Sequence, residues 1–204
     1  MDQALVEILE KIRQFSVENG MRHYSIPEIS KRLQIPEESL FQLVSSEEEL
    51  VEKALEYERD CFREIFERHN FDGVNSIDIM LIVSRDISRR FYDISPSVTM
   101  HLKNNYPGIY QSHVEERIRF IFEMMQLNIQ KGIRQKMYRS DVSTELVSRL
   151  YISRLIDLHD PAIFPPEKFS FETLFNTMFD HFIRGIATPA GLKYYEEKKS
   201  EFGL

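Results

Sequence analysis

Apolar residues recur every three or four positions along most of this chain, the spacing that places them on one face of a helix. Leu5, Ile8, Leu9, Ile12 and Phe15 mark a first amphipathic helix. Asn19 and Gly20 would stop it, because glycine enters the left-handed C-cap conformation without steric cost. Ile26, Ile29 and Leu33 set a second helix, and Leu40 with Val44 a third, short one. A longer pattern through Leu50, Ala54, Tyr57, Cys61 and Ile65 reaches about His69, where Asn70-Phe-Asp-Gly73 ends it. Further helices are predicted over about 76–93, then a shorter one ending near Tyr106, with Pro107 and Gly108 as a turn. A long helix over 109–137 follows, and two more over about 142–158 and 171–187, with a proline-rich connection, Asp160 to Pro166, between them. No stretch alternates as a strand would, and no internal repeat or low-complexity tract interrupts the series. The expected fold is all-α.

The segment from Ser25 to Leu50 carries more than periodicity. Ser25 followed by Glu28 has the spacing of a capping box, in which the hydroxyl takes a backbone N–H of the first turn and the carboxylate reaches back. Gln34-Ile35-Pro36 breaks the pattern, since proline suits a first helical turn but not an interior. In the short helix that starts there, Leu40 and Val44 point inward while Glu37, Glu38, Ser39, Phe41 and Gln42 point outward or sideways. Ser46 and Glu49 form another such box at the start of the long helix. Two short helices joined by a tight turn make a helix-turn-helix, whose outward positions would meet a DNA groove.

On these residues the chain resembles the TetR-like bacterial transcriptional regulators. The likeness rests on the amphipathic first helix, on the helix-turn-helix directly after it, and on Ser39, Leu40, Phe41, Val44, Ser46, Glu48, Glu49 and Leu50. Near the other end, His181-Phe-Ile-Arg-Gly-Ile-Ala-Thr-Pro-Ala-Gly191 looks like the end of that family's last dimerisation helix. The resemblance implies an N-terminal three-helix domain over 1–46 and a larger helical regulatory and dimerisation domain over 47–204, joined by a helix from about 47. It also implies a homodimeric regulator, with repression of an operator released by a small ligand and no catalysis. Ser25, Lys31, Arg32, Ser39, Phe41 and Gln42 would then face double-stranded DNA, and Arg22 with Lys31 and Arg32 would form a basic strip. The chain departs from the family at Pro27, Glu37, Ser45 and Glu47, where basic residues are frequent, at Glu38, often glycine, and at Phe41, often tyrosine. Phe41 can pack but has no hydroxyl to donate to a phosphate.

Charge makes those departures matter. Residues 1–56 hold six Lys or Arg against twelve Asp or Glu, so this segment carries −6 of the chain's −7. A strong nonspecific DNA binder would show the opposite balance, because phosphate contacts dominate affinity. Part of the acidity suits the positive ends of helices. An alternative therefore stands beside DNA binding: the same fold with an acidic helix-turn-helix acting as a protein-interaction or ligand-binding module.

The remaining features narrow the class. A chain of 204 residues with 42% hydrophobic content can bury a substantial core. Its apolar runs, such as Ile79-Met-Leu-Ile-Val83, are far too short for a bilayer, and the N-terminus lacks a basic and apolar leader, so a cytoplasmic protein is expected. The one cysteine, Cys61, reads as a buried helix thiol. Leu150, Leu155, Phe175, Met178 and Phe182 belong to two late helices apolar over more than one face and are the candidate dimer interface, with Gly185 allowing close approach. Phe91, Met100, Phe120 and Met124 are candidates to line a pocket for an apolar ligand, near His101, Asn104 and His113. The six histidines include no pair at i, i+4, and His113 with Glu116 or His159 with Asp157 and Asp160 are only near pairs. No metal, cofactor or catalytic group is expected.

Overall fold

The computed structural model describes residues 2–19, 25–91, 96–158, 160–165 and 167–202, and within them the side chains of all but 16–19, 89–91 and 96–98. The described residues form α1 (Gln3–Asn19), α2 (Ile26–Leu33), α3 (Glu37–Phe41), α4 (Glu47–Glu67), α5 (Ser76–Phe91), α6 (Pro96–Asn105), α7 (Pro107–Arg134), α8 (Thr144–Asp157), α9 (Phe171–Ile186) and α10 (Pro189–Lys198). A short 3-10 turn, Lys199–Phe202, follows. The fold is all-α, and its one β feature among these residues is an isolated bridge between Tyr138 and Ala187. No helix among them is long and apolar enough to cross a membrane. The proposed stop at Gly20 lies outside the described residues.

The chain packs as two compact units, residues 1–64 with 93–117 and residues 65–92 with 118–204, so the division falls inside α4 and α7. In the first unit, Leu5, Leu9 and Ile12 of α1 close over Ile26 and Ile29 of α2, Leu40 of α3, Val44, and Leu50 and Ala54 of α4. Each is at most 9% exposed, so the periodic residues of the N-terminal segment do form its core. One position further along α4, Val51 and Leu55 turn to a different partner, Leu102 of α6, with Tyr106, Ile109 and Tyr110 around them. The start of α4 thus buries two sides at once.

In the second unit, α9 puts Phe175, Phe179, Ile183 and Ile186 inward and packs on α5, α8 and α10. Residues along the end of α7 and just past it hold the α4–α5 connection. The Asn128 amide donates to the Ser76 carbonyl, Lys131 to that of Phe71, and Gln135 both donates to Val74 O and accepts from Ser76 N–H. Gly132 lies under the buried Tyr138 ring, whose carbons would stand 2.0–2.7 Å from a Cβ there.

Three boundaries differ from the sequence expectation. Pro107 and Gly108 do not form a separate turn: Tyr106 N–H still bonds Leu102 O, Tyr110 N–H already bonds Tyr106 O, and Pro107 is the first residue of α7. α3 stops at Phe41, so Val44 reaches the core from the following turn. The segment 181–191 holds the end of the expected helix but also the start of another. α9 ends at Ile186, Ala187 is extended, and Thr188 caps a further helix with Pro189 inside its first turn. Arg139 N–H bonds Ile186 O at 2.8 Å and Thr188 N–H bonds Met137 O at 2.9 Å, which pulls the chain out of helical geometry there.

Candidate nucleic-acid interface

α2 begins at Ser25, whose extended backbone lets its Oγ accept from Glu28 N–H at 3.4 Å. The other half of the expected capping box is absent. Glu28 instead forms an ion pair with Arg32 one turn on, because a charged donor at i+4 outcompetes a neutral amide. A neighbouring donor, the N–H of the first helical residue, is met from another helix: Ile26 N–H donates to Glu47 Oε1, on the first turn of α4, at 3.1 Å. α2 ends at Gln34, a non-glycine residue with φ of 55°, and Ile35 N–H bonds Ser30 O at 3.1 Å to tighten the turn.

α3 starts at Pro36, whose carbonyl accepts from Ser39 N–H at 3.0 Å. Leu40 is buried, Ser39 half-buried, Gln42 exposed, and Phe41 is 53% exposed. Lys31 is exposed and makes no ion pair among the described residues, whereas the Arg32 guanidinium also lies 5.2 Å over the Phe15 ring. Glu37 and Glu38 are exposed on the same short helix. After it, the Ser46 hydroxyl accepts from Glu49 N–H at 3.1 Å, and Glu49 reaches back to Ser45, accepting from its N–H at 2.7 Å and its hydroxyl at 2.5 Å. Those two bonds hold the Glu49 carboxyl below its ordinary pKa. The structure therefore brings Ser25, Lys31, Arg32, Ser39, Phe41 and Gln42 onto one pair of helices, with Lys31, Phe41 and Gln42 the most open. Arg22, the third member of the expected basic strip, lies outside the described residues.

Sequence reasoning missed a polar cluster inside the first unit. Arg13 of α1 pairs with Glu58 of α4 at 2.8 Å, Arg59 pairs with Glu116 of α7 at 3.0 Å, and Arg59 Nη1 stands 3.3 Å from His113 Nδ1. The Arg117 guanidinium lies 5.2 Å over the Phe62 ring. Burial, then the charges of Arg117 and Arg59, lower the His113 pKa to about 4, against a hydrogen bond with the Leu55 backbone that works the other way. His113 is thus a neutral core imidazole held by an arginine. Among the described residues no group of three or more His, Cys, Asp or Glu is placed to hold a metal ion. His159 lies outside them.

The other candidates are placed unevenly. Phe175 is fully buried within the chain, stacked on Phe171 at 5.7 Å, which leaves no surface of it open to a partner. Its place on the open side of α9 is taken by Leu174, Met178 and Phe182, all half-buried. On α8, Leu150 and its neighbours Leu146 and Ile156 are about half exposed, Leu155 is half-buried, and Ile152 turns inward. Met100 is 59% exposed and lines no interior, and the Phe91 side chain lies outside the described set. Phe120 and Met124 are half-buried in the second unit, Phe120 meeting Phe66 edge to face at 5.2 Å. Cys61 is buried.

No protein-family model matches the sequence, and neither does any curated protein. Solved structures do match it along nearly the whole chain. The reduced form of E. coli NemR superposes with a TM-score of 0.70 at 16% identity, over 91% of this chain and 99% of that one. A putative transcriptional regulator from Saccharomonospora viridis in complex with choline gives 0.67 at 13%, over 92% and 100%. A TetR-family regulator from Cytophaga hutchinsonii gives 0.64 at 16%, over 92% and 96%. The chain has the fold of TetR-family transcriptional regulators.

Proposed function

We propose that the protein is a homodimeric, ligand-responsive transcriptional regulator without catalytic activity, a repressor whose operator binding is released by a small apolar molecule. The observation that carries this reading is a helix-turn-helix with Lys31, Phe41 and Gln42 open to solvent, within a fold shared along its length with regulators of transcription. Residues 1–46 are the DNA-binding part and 47–204 the regulatory part, with α4 connecting them. Gln42 reads base edges, Lys31 and the Ser25 and Ser39 region meet backbone phosphates, and Phe41 packs on sugar or a thymine methyl.

Dimerisation uses α8 and α9. Leu146, Leu150 and Ile156 leave apolar surface uncovered on α8, Met178 and Phe182 continue it on α9, and nothing stands within 4 Å of a Cβ on Gly185, so a partner helix has room there. A two-fold dimer sets its recognition helices about 34 Å apart, in successive major grooves. A ligand releases the DNA only by binding one spacing better than the other.

A second reading is favoured by the exposed Glu37 and Glu38 and by the engagement of Arg32 with Glu28 and Phe15: the same dimer whose acidic N-terminal part meets a basic protein rather than DNA. Titration of a labelled duplex against salt separates the two. The first reading expects the logarithm of affinity to fall linearly with that of salt, with Lys31→Ala binding more weakly and with a slope shallower by about one. No binding at low salt would move the choice to the second.

A further inference from the structure

The donors at the outer rim of the helix-turn-helix are already occupied by the protein's own carboxylates. Ile26 N–H, at the start of α2, is held by Glu47 at 3.1 Å, and Ser45 N–H and Oγ–H are held by Glu49 at 2.7 and 2.5 Å. Glu28 N–H goes to Ser25 Oγ, Ile29 N–H to Ser25 O, and residue 27 is a proline with no N–H. No amide of the first turn of α2 is left for an external anion. A helix start facing DNA ordinarily offers such amides, with the positive end of its dipole, to a phosphate. Glu47 is placed differently from Glu49: Glu49 completes the cap of its own helix, whereas Glu47 crosses from α4 to α2 and takes the first-turn donor that Ser25 does not, putting a full negative charge where a neutral acceptor would satisfy the amide.

We propose that Glu47 is an affinity-setting residue, an internal stand-in for phosphate whose carboxylate occupies the Ile26 amide and holds negative charge at the DNA-facing start of α2. It restrains nonspecific duplex binding, leaving stable docking to sites where sequence-specific contacts displace it. The inference rests on the DNA-binding reading above and identifies one residue that sets its strength.

The test uses the full chain and a labelled 30-base-pair duplex of random sequence, titrated by fluorescence anisotropy over a range of sodium chloride. Glu47→Gln keeps an acceptor for Ile26 N–H and removes the charge. Glu52→Gln, an exposed glutamate further along α4, removes the same charge elsewhere. The expected result is affinity several-fold tighter for Glu47→Gln, with a salt dependence steeper by about one phosphate contact, and little change for Glu52→Gln. Equal affinities for the wild type and Glu47→Gln, or an equal gain in Glu52→Gln, would overturn the inference while leaving DNA binding intact. Silence from all three proteins at low salt would overturn the DNA-binding reading and this inference with it. If Glu47→Gln does not fold, Glu47→Ser removes the charge with a smaller polar side chain: a gain in affinity is expected, and none would overturn the proposal.

Discussion

His113 shows how a residue's neighbours decide its chemistry. On an amphipathic helix it could have faced solvent or a ligand, but it is buried against Arg59, with Arg117 contributing a second positive charge, and stays neutral down to about pH 4. The unfolded chain binds a proton on this ring near the ordinary value of 6.5, so the linkage has a definite sign. Its contribution to stability is complete above pH 6.5 and is lost as pH falls from there toward 4, because only the unfolded state gains the proton. Between pH 7 and 5 the loss is about 2 kcal/mol, from roughly 1.4 kcal/mol per pKa unit. Urea unfolding of the wild type and His113→Gln at both values checks it: the wild type should lose that much more than the variant over the interval. Parallel losses would show that the ring titrates normally. Nothing in the spacing of His113 marked it out, since its partners Arg59 and Leu55 sit on another helix more than fifty residues earlier.

At the scale of the helix, periodicity reveals that a face is apolar but not what covers it. α9 carries apolar residues on two sides, and only the structure separates Phe175, Phe179 and Ile183, which are buried, from Met178 and Phe182, which are half-buried, Phe182 meeting the Tyr151 ring of α8 edge to face at 4.8 Å. The same division on α8 leaves Leu150 outside and Ile152 inside. Leu150→Glu should therefore dissociate the dimer while leaving the thermal stability of the protomer fold nearly unchanged, whereas Phe175→Ala should cost about 3–5 kcal/mol of stability. Sedimentation equilibrium combined with denaturant unfolding reads both. A dimer unaffected by Leu150→Glu would place the interface elsewhere. α10 was invisible for a related reason. Its sequence, Lys193-Tyr-Tyr-Glu-Glu-Lys198 in the main, has no apolar stripe, and it is anchored by hydroxyls: Tyr194 donates to Asp78 at 2.7 Å and Tyr195 to Asp180 at 3.1 Å. Thr188 followed by Pro189 was the one local sign of a new helix start. Gly191 fits the same joint, for a Cβ there would meet Met137 O at 2.1 Å.

For the whole molecule, the helical fold and the helix-turn-helix were legible because they depend on local signals: periodic apolar residues, Ser25, Ser46 and the break at Pro36. The candidate site was legible only in part. Lys31, Phe41 and Gln42 could be placed outward from spacing alone, but the link from Glu47 to Ile26 joins two helices, and spacing alone assigns that carboxylate only to its own helix dipole. The proposed function requires this acidic helix-turn-helix to dock on DNA as part of a two-fold dimer. The most direct measurement is selection from the genome: purified protein incubated with sheared host DNA at low and then physiological salt, and the retained fragments sequenced. A dimeric regulator should enrich a palindromic site, its half-sites about one helical turn apart, that survives physiological salt. No enrichment at either salt, from protein shown to be a folded dimer, would contradict the proposed function.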